Sequence, residues 1–247
     1  MRVLAVGAHP DDLEILCGGT LARFVQDGHE VVMCNATLGN RGSFEHTSEE
    51  IAEIRLREAR RAAELAGAAH VTLGFTDGEV DASDGDQRAA IVDLVRDVRP
   101  DLIITHSNGD YMSDHDETSK LVFDCSFHAT LPLYETGTPA HGTVTPIYWF
   151  DTVMGLGFQP TEYVDVTTTI ETKVAMLEAH ESQLTWTYSV GSKPSPITVS
   201  MKYIGVTMSW WGRAVTRFRG LQCRVQYAEG FRPCLTWLRA TTRRLLP

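Results

Sequence analysis

A chain of 247 residues is long enough for one large α/β domain. Its 43% hydrophobic and 22% charged residues are ordinary for a globular protein, and a net charge of -10 with a pI near 5.3 excludes a general nucleic-acid binder. No run approaches the ~20 apolar residues of a membrane span.

The first apolar run, Val3 to Ala8, reads as a strand (Arg2–Gly7) and stops at the turn His9-Pro10-Asp11-Asp12. It is too short for a signal peptide. Leu13 to Gln26 reads as a helix closed by Gly28, and His29–Ala36 as a second strand. A polar loop, Thr37–His46, leads to Thr47-Ser48-Glu49-Glu50, whose spacing predicts a capping box and a helix to Ala66. Val71–Phe75 is a third strand, and Asp86–Val98 a helix stopped by Pro100. Asp101–Thr105 is a buried-type fourth strand. The loop Ser107–His115 enters a helix near Asp116–Thr130, and Pro146–Thr152 is a fifth strand. Thr169–Gln183 reads as a helix, Ser192–Pro196 as a loop, and Val199–Leu221 and Pro233–Leu246 as helices.

This alternation predicts a single α/β domain over residues 1–247 with a Rossmann-like, mostly parallel sheet and helices on both faces. Right-handed crossovers give the strand order 3-2-1-4-5. The turns after strands one and four then flank a crevice at the carboxyl edge, where such sheets place ligands. No GxGxxG follows strand one, which argues against a dinucleotide cofactor.

Both turns carry acids and imidazoles: His9, Asp11 and Asp12 in one, Asp110, Asp114 and His115 in the other. Singly, each has a bland reading; Asp11 or Asp12 could simply cap the next helix. Together, they point to a divalent ion. His9 and Asp12, three apart around a turn, can reach one ion, and His115 closes the triangle from the other side. Asp11 lies beside these ligands as the natural general base.

His9-Pro10-Asp11-Asp12 with Gly18-Gly19-Thr20, and the distant Asp114-His115, resemble the zinc-dependent N-acetylglucosaminyl deacetylases of the PIG-L/LmbE family. Weaker matches are Thr37 to Gly42, Arg55, Glu58, Asp77-Gly78, Lys173, His180, Ser182-Gln183 and Tyr227 to Phe231. The resemblance implies one zinc, or another divalent ion, held by His9, Asp12 and His115. It implies Asp11 as base, with Arg55 and Asp77 near the sugar; Asp110 is a further candidate substrate contact. The implied reaction is removal of an N-acetyl or other N-acyl group from a small-molecule amino sugar. The rival expectations are an amidase for non-sugar N-acyl substrates and a sugar-binding relative without catalysis. Met112 is the departure: the family has a histidine there, and Tyr111, His106 and His128 are the nearby substitutes.

Five cysteines, odd in number and without a CxxC pair, fit reduced thiols in a cytoplasmic protein. Gly18-Gly19 within a helix predicts close packing against the sheet. His180 reads as buried or capping. The tryptophans, Trp149, Trp186, Trp210, Trp211 and Trp237, read as packing or a contact between copies. The arginines of the last forty residues read as a solvated helix face.

Overall fold

The computed structural model describes residues 1–186 and 208–247, with the side chains of 184–186 and 208–211 left out. The expected loop at Ser192–Pro196, the start of the helix expected from Val199, and the side chains of Trp186, Trp210 and Trp211 lie outside the described residues.

Seven strands form one sheet, in the order β3-β2-β1-β4-β5-β7-β6. They are β1 (Arg2–Gly7), β2 (Glu30–Thr37), β3 (Ala69–Phe75), β4 (Leu102–Thr105), β5 (Ile147–Phe150), β6 (Glu162–Asp165) and β7 (Ala228–Pro233). The five-strand order expected from the alternation is present, and its pairs are parallel. Two antiparallel strands extend it beyond β5.

The strands bury both faces. Val3, Ala5, Val31, Met33, Leu102 and Ile104 point into one core. Leu4, Val6, Cys34, Ile103 and Ile147 point into the other. The first core is covered by α1 (Asp12–Leu16), α2 (Gly18–Gln26), α3 (Ser48–Ala66) and α6 (Ile170–Glu178), the second by α4 (Gly85–Val98) and α5 (Ser113–His128). α7 (Glu181–Trp186) and α8 (Met208–Cys223) complete the described helices. None is long and apolar enough to cross a membrane.

The helix starts follow local chemistry. The capping box of α3 is formed: Glu50 N–H donates to Thr47 Oγ1 at 3.2 Å, and Thr47 N–H to Glu50 Oε2 at 2.9 Å. The expected helix over Leu13–Gln26 is instead two helices, broken at Cys17. The break turns Gly19 and Thr20 N–H onto the buried Glu229 carboxylate of β7, at 2.9 and 2.7 Å. Lys173 Nζ closes the arrangement, bonding Glu229 Oε1 at 2.5 Å and the Ile15 carbonyl at 2.7 Å. A Cβ on Gly19 would lie 2.8 Å from Val166, so this position takes only glycine. Close packing was the expected reason for the glycines, and the partner proves to be a carboxylate as well as the adjoining segment.

Two expectations are corrected. Pro233–Leu246 is not a helix: Ala228–Pro233 is β7, and the chain then runs through turns. The C-terminal arginines are not one solvated face, because Arg219 and Arg239 are buried. Arg239 donates to the carbonyls of Thr145 and Phe123, which fastens the terminal segment to the domain. All five cysteines are unpaired, four of them buried.

Removing one partner from a buried ion pair leaves an uncompensated charge and costs about 3–5 kcal/mol. Glu229→Gln is therefore expected to lower the unfolding free energy by that order in urea denaturation. A loss below about 1 kcal/mol would show that Lys173 is compensated elsewhere.

Candidate metal centre

β1 and β4 pair in register Val6↔Thr105, so the turns that follow them emerge side by side. The β1 turn presents His9, Asp11 and Asp12, and the first turn of α5 presents Asp114 and His115. His9, Asp12 and His115 each offer a ligand atom, and these atoms lie within 4.8 Å of one another. Asp12 and His115 are buried, and His9 is nearly so.

Asp12 is the hub. Its Oδ2 accepts from His9 N–H at 2.6 Å and lies 3.4 Å from His9 Nδ1. Its Oδ1 is 3.3 Å from His115 Nε2, a buried nitrogen with no hydrogen-bond partner. The outer nitrogen of each imidazole is held by a second carboxylate. His115 Nδ1 bonds Asp110 Oδ2 at 3.1 Å, and His9 Nε2 bonds Asp114 Oδ2 at 3.0 Å. A carboxylate only accepts, so each outer nitrogen carries a proton, and it is the inner nitrogen, next to Asp12, that would give up its proton and offer a lone pair to an ion. This is how ligating histidines are usually oriented. Three carboxylates around two imidazoles make a cation-seeking field. Burial opposes a charged His9, yet its bonds to Asp114 and Asp12 raise its pKa to about 10. Burial likewise opposes a charged His115, and Asp12 and Asp110 raise it to about 9. Burial works against Asp12 ionisation too, and the facing His115 and His106 hold its pKa well below the usual carboxylate range.

A second grouping, His106, Asp110 and His115, shares one imidazole with the first. It is the poorer donor set. Asp110 is engaged by His115 Nδ1, and His106 Nε2 accepts from Ala8 N–H at 2.9 Å. His106 is fully buried and stacks on His115 with ring centroids 4.0 Å apart. Burial, reinforced by His115, lowers its pKa to about 4 and keeps it neutral.

Asp11 does not cap α1 with its side chain; its backbone sits at φ 118, a region non-glycine residues avoid. The strain turns its carboxylate away from the helix to an ion pair with Arg55, 3.1 Å from Nη2. Burial raises the Asp11 pKa to about 6 against the lowering effect of Arg55. Arg55 is buried and also donates to the carbonyls of Pro10 and Gly39. The loop after β2 is shaped around it: a Cβ on Gly39 would meet the guanidinium at 2.6 Å, and one on Gly42 at 2.9 Å.

The three candidate substrate contacts thus all have protein partners. Arg55 holds Asp11 and Asp110 holds His115. Asp77 accepts from Gly39 N–H at 2.9 Å and Arg41 N–H at 3.2 Å, which fixes the loop over Arg55. Of the residues near the Met112 position, His128 lies at the far end of α5, bonded to Arg88 and stacked on Tyr134. Tyr111 is half exposed, and its hydroxyl accepts from Met154 N–H at 3.2 Å. His180 is buried against Glu14, 3.2 Å away. Sequence spacing brought out neither the bond of Asp114 to His9 nor the neutral His106; the carboxylate next to His115 was the one available signal.

The PIG-L family model, described as GlcNAc-PI de-N-acetylase, matches residues 4–126. The chain is 30% identical over 189 residues to the uncharacterized deacetylase YaiS of Escherichia coli K12, a match covering 73% of this chain and 90% of that one. This chain belongs to the PIG-L family. It is also 29% identical over 192 residues to the diacetylchitobiose deacetylase of Thermococcus kodakarensis, covering 74% of this chain and 70% of that one. Among solved structures, the 4-carboxy-2-hydroxymuconate hydratase GalB of Pseudomonas putida KT2440 superposes with a TM-score of 0.78 at 22% identity, covering 99% of each chain. A PIG-L fold is thus shared with a hydratase by name, and the reaction has to be argued from the site.

Gly39 and Gly74 both adopt positive φ, but a Cβ on Gly74 would meet nothing within 4 Å. Alanine at either position bears the backbone penalty; only Gly39→Ala also strikes Arg55. Thermal unfolding is expected to show Gly39→Ala less stable than Gly74→Ala by about 1–3 kcal/mol. Equal losses would mean that the guanidinium is not fixed by this loop.

Proposed function

We propose that this PIG-L protein is a zinc-dependent hydrolase that removes an N-acetyl or related N-acyl group from a small-molecule amino sugar. The observation that carries the reading is the convergence of His9, Asp12 and His115 around a buried, unpartnered His115 Nε2, with Asp11 alongside. The donor set, two imidazoles and a carboxylate, suits zinc with a position left for substrate. The deacetylase relatives support the amide as the bond that is cut. Unpaired cysteines support a reducing, cytoplasmic setting.

His9, Asp12 and His115 would hold the metal, with Asp114 and Asp110 keeping the two rings in the required tautomer. When bound, the ion supplies Lewis acidity, which polarises the acyl oxygen and acidifies water. Asp11 takes the proton as water attacks the acyl carbon. Its raised pKa keeps it basic enough to accept that proton near neutrality. Arg55 holds the carboxylate in place and stabilises its charged form. Asp11 then returns the proton to the departing amine. Methionine at position 112 can neither donate nor accept that proton, and His106 is sealed behind the ligands. Tyr111, half exposed and next to Asp110 in the chain, remains as a nearby hydroxyl.

Three variants test the assignment. Asp11→Asn is expected to keep the metal and lose about 10²–10⁴-fold in kcat. Asp12→Asn is expected to lose metal, with partial rescue by added zinc, as measured by elemental analysis. Metal loss in Asp11→Asn with retention in Asp12→Asn would exchange the two roles. Asp110→Asn leaves the ligand set intact but disturbs His115, and is expected to weaken zinc binding about 10–100-fold in a chelator competition. Unchanged affinity would show that His115 is oriented without Asp110. If the wild-type protein takes up zinc and binds N-acetyl amino sugars but releases no amine, Met112 marks a relative that has lost catalysis.

A further inference from the structure

Arg232, on β7, is a cation without a counter-ion. In the same region Arg213 pairs with Glu171, Arg219 with Asp151 and Arg244 with Glu162, and the buried Arg239 is spent on carbonyls. Arg232 is half-buried, and among the described residues no carboxylate pairs with it. Its Nη2 donates to neutral oxygens only, Ser107 Oγ at 3.0 Å and Asn108 Oδ1 at 3.5 Å. Trp149 and Phe158 flank it, their ring centroids 5.5 and 5.0 Å from the guanidinium carbon. Aromatic contact and a hydroxyl bond hold the group in place but leave its charge uncompensated.

The position of this charge gives it a use. Arg232 pairs across the sheet with Trp149, and Trp149 with Thr105 at the end of β4. Ser107, its hydrogen-bond partner, follows His106, whose Nε2 is 3.2 Å from Asp12 Oδ2. Arg232 and the segment 155–159 line a groove of about 420 Å³. Met154, which leads into that segment, is tied to the loop before α5 by its N–H bond to the Tyr111 hydroxyl. A groove of this size falls in the range of small-molecule sites. A planar guanidinium on its wall is suited to bidentate binding of a carboxylate or phosphate. In a chain of net charge -10, a fixed cation at this edge favours anions locally against the overall field.

We propose that Arg232 is a substrate-recognition residue: the groove takes a carboxylate or phosphate carried on the part of the substrate remote from the scissile amide. The inference rests on the de-N-acylation reading and narrows its substrate class to acidic N-acyl amino sugars. Leu156, exposed on the groove wall, and Tyr111, exposed next to Asp110, would contact the sugar body.

The test compares three substrates on the zinc-loaded enzyme: N-acetylglucosamine, N-acetylglucosamine 6-phosphate and N-acetylmuramic acid. The wild-type protein is expected to favour at least one acidic substrate over the neutral one by tenfold or more in kcat/KM, through KM. Arg232→Gln is expected to cut that ratio by about tenfold. The choice between the phosphate and the carboxylate substrate identifies the anion. A ratio that is the same in wild type and Arg232→Gln, or a wild-type preference for the neutral sugar, overturns the proposal. If none of the three is hydrolysed, the de-N-acylation reading fails, and the subsite is judged by calorimetric titration with inorganic phosphate and succinate. Wild type is expected to bind one of them at least tenfold more tightly than Arg232→Gln; equal affinity, or no binding by either protein, overturns the proposal. Should Arg232→Gln fail to fold, Arg232→Lys keeps the charge and loses the fork. It is expected to weaken the same binding severalfold, and unchanged binding counts against the assignment.

Discussion

A carboxylate buried at position 12 is the constraint on which the rest of the site depends. An ionised group so placed must be met by positive charge or by hydrogen-bond donors, because burial alone would push it to the neutral acid. The fold answers with one backbone N–H and the charged imidazoles of His9 and His115, while a third imidazole close by, His106, is neutral and accepts from Ala8 N–H. Two of those imidazoles are backed by their own carboxylates, so the cluster as a whole still seeks a cation. The arrangement makes sense as a divalent-ion site and would be costly as mere structure. The adjacent Asp11, bent out of the helix at φ 118, adds a strained backbone that a simple cap would not need.

Everything else in the fold serves to bring the turns together and hold them there. Parallel pairing of β1 with β4 sets their spacing. The break between α1 and α2, held by Glu229 and Lys173, fixes how the chain leaves the β1 turn. Asp77 and two glycines shape the β2 loop around Arg55, and Arg55 positions Asp11. Contacts from β7, the last strand, thus reach the centre from two sides: Glu229 from behind α2, and Arg232 from the open edge beside β4. The shared architecture with a hydratase by name fits this division of labour, in which the scaffold carries the turns and the turns carry the chemistry.

The parts legible in the sequence were those with short-range signals. His9, Asp12 and His115 stood at strand–helix turns whose adjacency followed from winding rules, and the structure brings all three together. The capping box at Thr47 and the order of β1 to β5 were legible for the same reason. What stayed hidden depends on distant partners. Glu229 meets Gly19 across more than two hundred residues, so the helix break at Cys17 leaves no local trace. β6 is short, and Gly230 and Pro233 weaken the strand pattern of β7, so neither strand stood out and Pro233–Leu246 looked helical in composition. Arg55, Asp77 and Asp110 carry the residue types of substrate contacts. Their actual partners, Asp11, the loop after β2 and His115, are fixed by tertiary packing that spacing does not encode.

The central claim is that one divalent ion sits among His9, Asp12 and His115 with Asp11 beside it. The most direct measurement is an anomalous difference map collected at the zinc edge from crystals of protein grown with zinc. The account predicts a single strong peak within bonding distance of His9, Asp12 and His115, with Asp11 next to it but not bonded. A peak held by other residues, or no peak at that turn while zinc binds elsewhere on the chain, would contradict it.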